Sequence, residues 1–167
     1  MGAQAREQSA KEEAARYRVI QLAAPGILNN LSPMYSHVAL AQTAGKDDGL
    51  FEVWELMQTD LRAELVVLSA IETARAATGS GEGITGLGWS LFAAGCPTLV
   101  SSQWRTASPG TTELMLAFHS QLQSASNRRA RLTKAQALQQ AMVKLLKGDK
   151  YKQPFYWAGF AMVGDGR

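Results

Sequence analysis

Apolar positions along the chain fall into two kinds of pattern. Leu65-Val66-Val67-Leu68-Ser69-Ala70 is an unbroken apolar run ending in two small residues, and Thr98-Leu99-Val100-Ser101-Ser102 is a second short run. Neither has a polar face, which suits strands covered on both sides in a parallel sheet. Between them, Gly79 to Gly83 reads as a loop and Ile84 to Ala94 as a helix whose Gly86, Gly88, Ser90, Ala93 and Ala94 allow close approach to a sheet. Gly95 suits the left-handed position past a helix end and Pro97 stops the helix, so the stretch reads as one β-α-β crossover. Elsewhere the spacing is helical: Leu114, Phe118 and Leu122 lie four apart beside Met115, in a helix that Ser108 caps with Pro109 in its first turn. Thr133 and Gln136 have the spacing of a capping box before Ala135, Leu138, Met142 and Leu145, with Gly148 as the stop.

The remaining elements follow from shorter signals. A helix is expected over Ala3 to Arg16, its weak apolar side built from Ala10, Ala14 and Tyr17, then a strand over Tyr17 to Ala23 broken at Pro25-Gly26. Asn29 to Pro33 reads as a loop, Tyr35 to Ala41 as a strand, Lys46 to Gly49 as a turn before Leu50-Phe51, and Val53 to Met57 as a short helix. A Pro-containing loop over Tyr151 to Tyr156 precedes a last strand, Trp157 to Val163. Strands and helices alternate, so the class is α/β. In open sheets of this kind function sits at the carboxyl ends of the strands, here Ala70-Ile71-Glu72 and Ser102-Gln103-Trp104.

Composition narrows the class. The 167 residues fit one domain, and 46% hydrophobic with 19% charged residues excludes a disordered or fibrous chain. No apolar stretch reaches the roughly 18 residues that span a bilayer. Met1 to Arg16 alternates Ala with charged and amide residues, unlike a secretion signal. Cys96 is the only cysteine, which excludes an intrachain disulfide and places the chain in a reducing compartment, the cytoplasm. The net charge of +3 is uneven: nine basic residues between Ser126 and Arg167 face only Asp149 and Asp165. Arg128, Arg129, Arg131 and Lys134 are the densest patch, read as a solvated connection between helices. A basic nucleic-acid-binding module is the lesser alternative, since no aromatics interleave to stack bases.

Little in the chain carries chemistry by itself. Gly81-Glu82-Gly83-Ile84-Thr85-Gly86 matches G-x-G-x-x-G, yet it does not follow its strand directly, and no acid stands at the end of the next one. His37 and His119 have no cysteine or carboxylate cluster at ligand spacing and read as structural. Cys96 opens a strand, a place for packing. No metal site and no cofactor site is legible.

The order of motifs resembles the CHAT family, caspase-like domains related to separase and often attached to tetratricopeptide repeats. Leu65 to Thr73 resembles LVVLSACET, Gly81 to Leu87 resembles GEG-x-x-GL, and Phe92 to Gly95 resembles F-x-x-AGA. Ser101 to Trp104 resembles SLW, Thr112 to Met115 resembles T-x-LM, and Pro154 to Phe160 resembles PYYWAAF. Toward the front, Leu22 to Gly26 aligns with A-T-H-G and Ser32 to Ser36 with SP-x-YS. The resemblance implies a three-layer α/β/α sandwich with a mainly parallel central sheet. It covers residues 1–167 as a single domain corresponding to the C-terminal two-thirds of the family's, without its first strands.

It also implies a Cys-His cysteine peptidase, in which an imidazole lowers the thiol pKa and then protonates the leaving amine. Here both positions are changed: Pro25 stands at the histidine position and Ile71 at the nucleophile position. Neither side chain attacks a carbonyl or moves a proton. The expected function is therefore that of an inactive caspase-like domain acting by protein interaction or regulation. A protein or peptide partner would add as a strand in a groove beside Thr98 to Ser102, with Gln103, Trp104 and Arg105 as contacts, and an uncovered sheet edge also suits a homodimer. The alternative is a peptidase-type hydrolase with displaced chemistry at Ser69 or Ser102, for which the sequence offers no base.

Overall fold

The computed structural model describes residues 4–29, 31–42, 47–69, 71–72, 82–104, 108–126 and 132–167. In chain order the elements are α1 (Glu7–Glu13), β1 (Val19–Leu22), β2 (Gly26–Ile27), β3 (His37–Ala39), β4 (Leu50–Glu52), α2 (Val53–Gln58), β5 (Leu65–Leu68), β6 (Ile71–Glu72), α3 (Glu82–Ala93), β7 (Thr98–Ser102), α4 (Ser108–Ser126), α5 (Lys134–Lys147) and β8 (Phe160–Gly164). Short 3-10 turns follow α1 at Ala14–Arg16, precede β3 at Pro33–Tyr35 and precede β8 at Pro154–Tyr156.

The larger sheet has the order β1-β5-β7-β8. β1, β5 and β7 are parallel, with Leu22 beside Leu68 and Leu68 beside Ser101, while β8 runs antiparallel to β7. Alternation along β5 divides the core in two, because successive side chains leave a strand on opposite faces. Val66 and Leu68 pack with Leu87 and Leu91 of α3 and with Leu56 of α2. Leu65 and Val67 pack with Leu114 and Phe118 of α4 and with Ala137, Leu138, Ala141 and Leu145 of α5. Helices thus cover both faces of a mainly parallel sheet, the three-layer α/β/α arrangement.

Local chemistry sets the element ends. Gly95 takes φ +103° after α3, and a Cβ there would lie 2.8 Å from the Leu61 carbonyl oxygen. Thr133 Oγ1 accepts from Gln136 N–H at 3.1 Å while Gln136 Oε1 accepts from Thr133 N–H at 3.0 Å, completing the capping box of α5. The N-terminal helix is shorter than the sequence suggests, and Tyr17 stands exposed beyond its 3-10 continuation. Its attachment is polar: the Glu7 carboxylate, 1% exposed, accepts from Gly49 N–H at 2.8 Å and pairs with Lys11. Lys11 Nζ reaches on to Glu55 of α2 at 2.6 Å.

The sequence reading contains one strand of the second sheet, Tyr35 to Ala41, observed as β3, but not the sheet itself, ordered β4-β3-β2-β6. Pro25-Gly26, expected to end a strand, instead leads into β2. The run expected to continue through Ala70 pairs in the larger sheet only as far as Leu68 and resumes as β6 in the smaller one. Similarly, Trp157 to Gly159 form a turn, and the last strand begins at Phe160.

Candidate functional site

The two positions that the motif resemblance singles out lie on neighbouring strands of the small sheet. β2 and β6 run parallel, with Gly26 beside Ile71 and Ile27 beside Glu72. Pro25 therefore immediately precedes the residue that pairs with Ile71. Its carbonyl accepts from Ala39 N–H at 2.8 Å, extending the antiparallel contact between β2 and β3. This pairing places positions 25 and 71 just past the carboxyl ends of β1 and β5. Thr73 to Gly81 lie outside the described residues, so Gly81 of the glycine motif does too, while Gly83 and Gly86 belong to α3.

The alternative nucleophile candidates are two serines. Ser69 and Ser102 are both buried. Gln21 Nε2 lies 3.4 Å from Ser69 Oγ, and the other end of that amide, Oε1, meets Nε2 of His119 from α4. The histidine expected to be structural is thus tied to a strand 98 residues away, through a contact that no local pattern signals. A general base must reach the hydroxyl it deprotonates at about 2.6–3.2 Å or through one water. Here a primary amide stands between imidazole and serine, and an amide does not carry protons at neutral pH. His37 is also engaged, its Nδ1 lying 3.0 Å from the Tyr35 carbonyl oxygen in its own turn.

Burial lowers the His119 pKa below the ordinary imidazole range. On acidification the unfolded chain, with an imidazole pKa near 6.5, takes up its proton before the folded one. Stability is therefore full above about pH 6.5 and falls as the pH drops below it. Urea midpoints measured at pH 7.5 and 5.5 are expected to show this loss, and His119→Gln is expected to flatten it. An unchanged pH slope in the variant would assign the effect to other groups.

Cys96 is 1% exposed, and its S–H donates to the Thr98 carbonyl at 3.2 Å. Burial pushes the thiol pKa up, the reverse of what a nucleophile needs. Among the described residues, no three His, Cys, Asp or Glu side chains converge in a group able to hold a metal ion, and no helix is long and apolar enough to cross a membrane.

The groove residues divide. Gln103 is exposed, with its N–H on the Gly159 carbonyl at 2.6 Å and Nε2 at 3.4 Å from Ser101 Oγ. Trp104 lays its ring over Gly159, where a Cβ would meet it at 2.7 Å, and its Nε1–H donates to the Phe155 carbonyl at 3.2 Å. Despite this packing, 37% of the residue stays exposed. Arg105 lies outside the described residues, as do Arg128, Arg129 and Arg131, while Lys134 opens α5. Strand addition beside Thr98 to Ser102 needs correction: β5 occupies one edge of β7 and β8 the other, so no main-chain groups there await a guest strand. In the larger sheet, β1 has no described strand along its outer edge.

Comparison with curated proteins returns no match. A family model described as the CHAT domain matches residues 1–165, nearly the whole chain, with the two strand-end positions inside the matched span. The chain therefore belongs to the CHAT domain family, whose caspase-like α/β architecture it carries.

Proposed function

We propose that this CHAT domain is catalytically inactive and acts by binding protein. One observation carries the reading: the positions where the family resemblance puts a histidine and a cysteine hold Pro25 and Ile71, and Pro25 directly precedes the residue paired with Ile71. A pyrrolidine ring has no proton to exchange and a branched alkyl group no lone pair to donate, so the peptidase chemistry has neither base nor nucleophile. The covered thiol of Cys96 and the buried Ser69 and Ser102 supply no substitute.

Exposed apolar side chains support a binding role. Trp54 and Met57 share one face of α2, Trp89 is 67% exposed on α3, and Met34 and Tyr35 lie on the 3-10 turn packed beside both helices. Large exposed apolar side chains gathered on adjoining elements mark interaction surfaces. At the strand ends, Gln103, Trp104 and Arg105 are the proposed peptide contacts, acting through side chains. The outer edge of β1 is where a partner strand, or that of a second copy, would add.

The test restores the missing pair. Pro25→His with Ile71→Cys is expected to react with a thiol-directed peptide probe at least ten-fold faster than Ile71→Cys alone at pH 7, since a neighbouring imidazole brings the thiol pKa from about 8.5 toward neutrality. Pro25→His alone is expected to stay inert, because Cys96 is covered. Equal reactivity in the single and double variants would place the base elsewhere, and labelling or proteolysis by the unaltered chain would overturn the inactive reading.

A further inference from the structure

An apolar cavity of about 240 Å³ lies between α1 and the core of the larger sheet. Ala10 and Ala14 form its roof, and the buried Phe51, Leu56, Val66 and Leu91 form its floor. Protein interiors leave few voids larger than a water molecule. An enclosed apolar cavity of about 150 Å³ takes up benzene; this pocket is larger, and it opens to solvent. Its roof is small because Ala10 of α1 and Ala14 of the following 3-10 turn line it, while the helix is held in place by the Glu7 carboxylate on Gly49 and by Lys11 on Glu55. The roof thus depends on polar bonds at the helix margin and leaves the space beneath it unfilled. At the mouth the chemistry changes to the exposed Gln4, Arg6, Glu13 and Tyr17.

We infer that this cavity is a binding site for a small amphiphile, its hydrocarbon body beneath α1 and its polar head at the rim. Scaled from the benzene-sized case, the body has on the order of ten non-hydrogen atoms. The apolar floor gains free energy when it is removed from water, so a hydrocarbon body is favoured over solvent there. The rim carries both a cation and a carboxylate, so head-group charge is a matter for the assay.

Decanoate and 1-decanol are the probes, titrated into the purified chain by calorimetry and by thermal unfolding. One of them is expected to bind with one-to-one stoichiometry and raise the unfolding midpoint by several degrees. Preference for decanoate assigns the head to Arg6; equal binding assigns recognition to the hydrocarbon alone. Ala10→Leu and Ala14→Leu, which fill the roof, are each expected to weaken binding at least ten-fold while keeping the midpoint at or above that of the parent. The inference is overturned if neither probe binds up to its solubility limit or if the filled variants bind equally well. It is also overturned if both variants unfold several degrees lower, because the space is then closed by the chain itself. A dimer that decanoate dissociates would give the space to a second copy and overturn it as well.

Discussion

Truncating Phe118 to alanine is expected to remove about 3–5 kcal/mol of stability, the largest loss from any single side chain considered. Phe118 is 0% exposed and stands where α4 meets both the sheet and α5. The buried cluster it belongs to includes Leu65, Val67 and Val100 from two parallel strands and Leu114, Leu138 and Leu145 from two helices. Elements fixed by hydrogen-bonded ladders and a capped helix collapse little into a void, so the lost transfer energy and the cavity term add. For a domain of this size the thermal midpoint is expected to fall by roughly ten degrees. A loss under about 1 kcal/mol in urea unfolding would mean that α4 repacks freely over the sheet.

Gly164→Ala is the second large effect expected, and its origin is backbone geometry. Gly164 has φ +99° at the end of β8, and a Cβ there would lie 2.1 Å from the Pro97 carbonyl oxygen and 3.1 Å from its carbon. That carbonyl accepts the Asp165 N–H at 2.9 Å, and Thr98 Oγ1 donates to the Asp165 carbonyl at 2.6 Å. The clash is with main chain, so relief requires the end of β8 to move away from the start of β7. A strained conformation of this kind costs of the order of 1–3 kcal/mol, and denaturant unfolding of the variant is expected to show a loss at the upper end of that range. Gly164→D-Ala, made by semisynthesis, directs its methyl away from Pro97 and is expected to recover most of it; equal losses for both would point to chain entropy.

The larger sheet is legible in the sequence because its strands are buried on both faces and announce themselves by composition. Leu65 to Leu68 and Thr98 to Ser102 need no periodicity to be recognised. The capping residues of α5 and the glycine after α3 are local signals and are equally readable. The smaller sheet is not, since β2 and β6 have two residues each and no pattern repeats in two residues. What forms them is pairing between segments 45 positions apart, Gly26 with Ile71. The same holds at the candidate site. The substituted positions follow from motif order, but the closed edges of β7 are set by β8, which arrives from the far end of the chain. The contact of His119 with Gln21 is equally a product of tertiary packing.

The main-chain ladder joining Gly26 to Ile71 bears on how readily this site accepts new side groups. Backbone amides carry the register of the two strands, a kind of contact that any residue other than proline can make. Exchanging a side group at either tip is therefore expected to leave the main-chain frame standing.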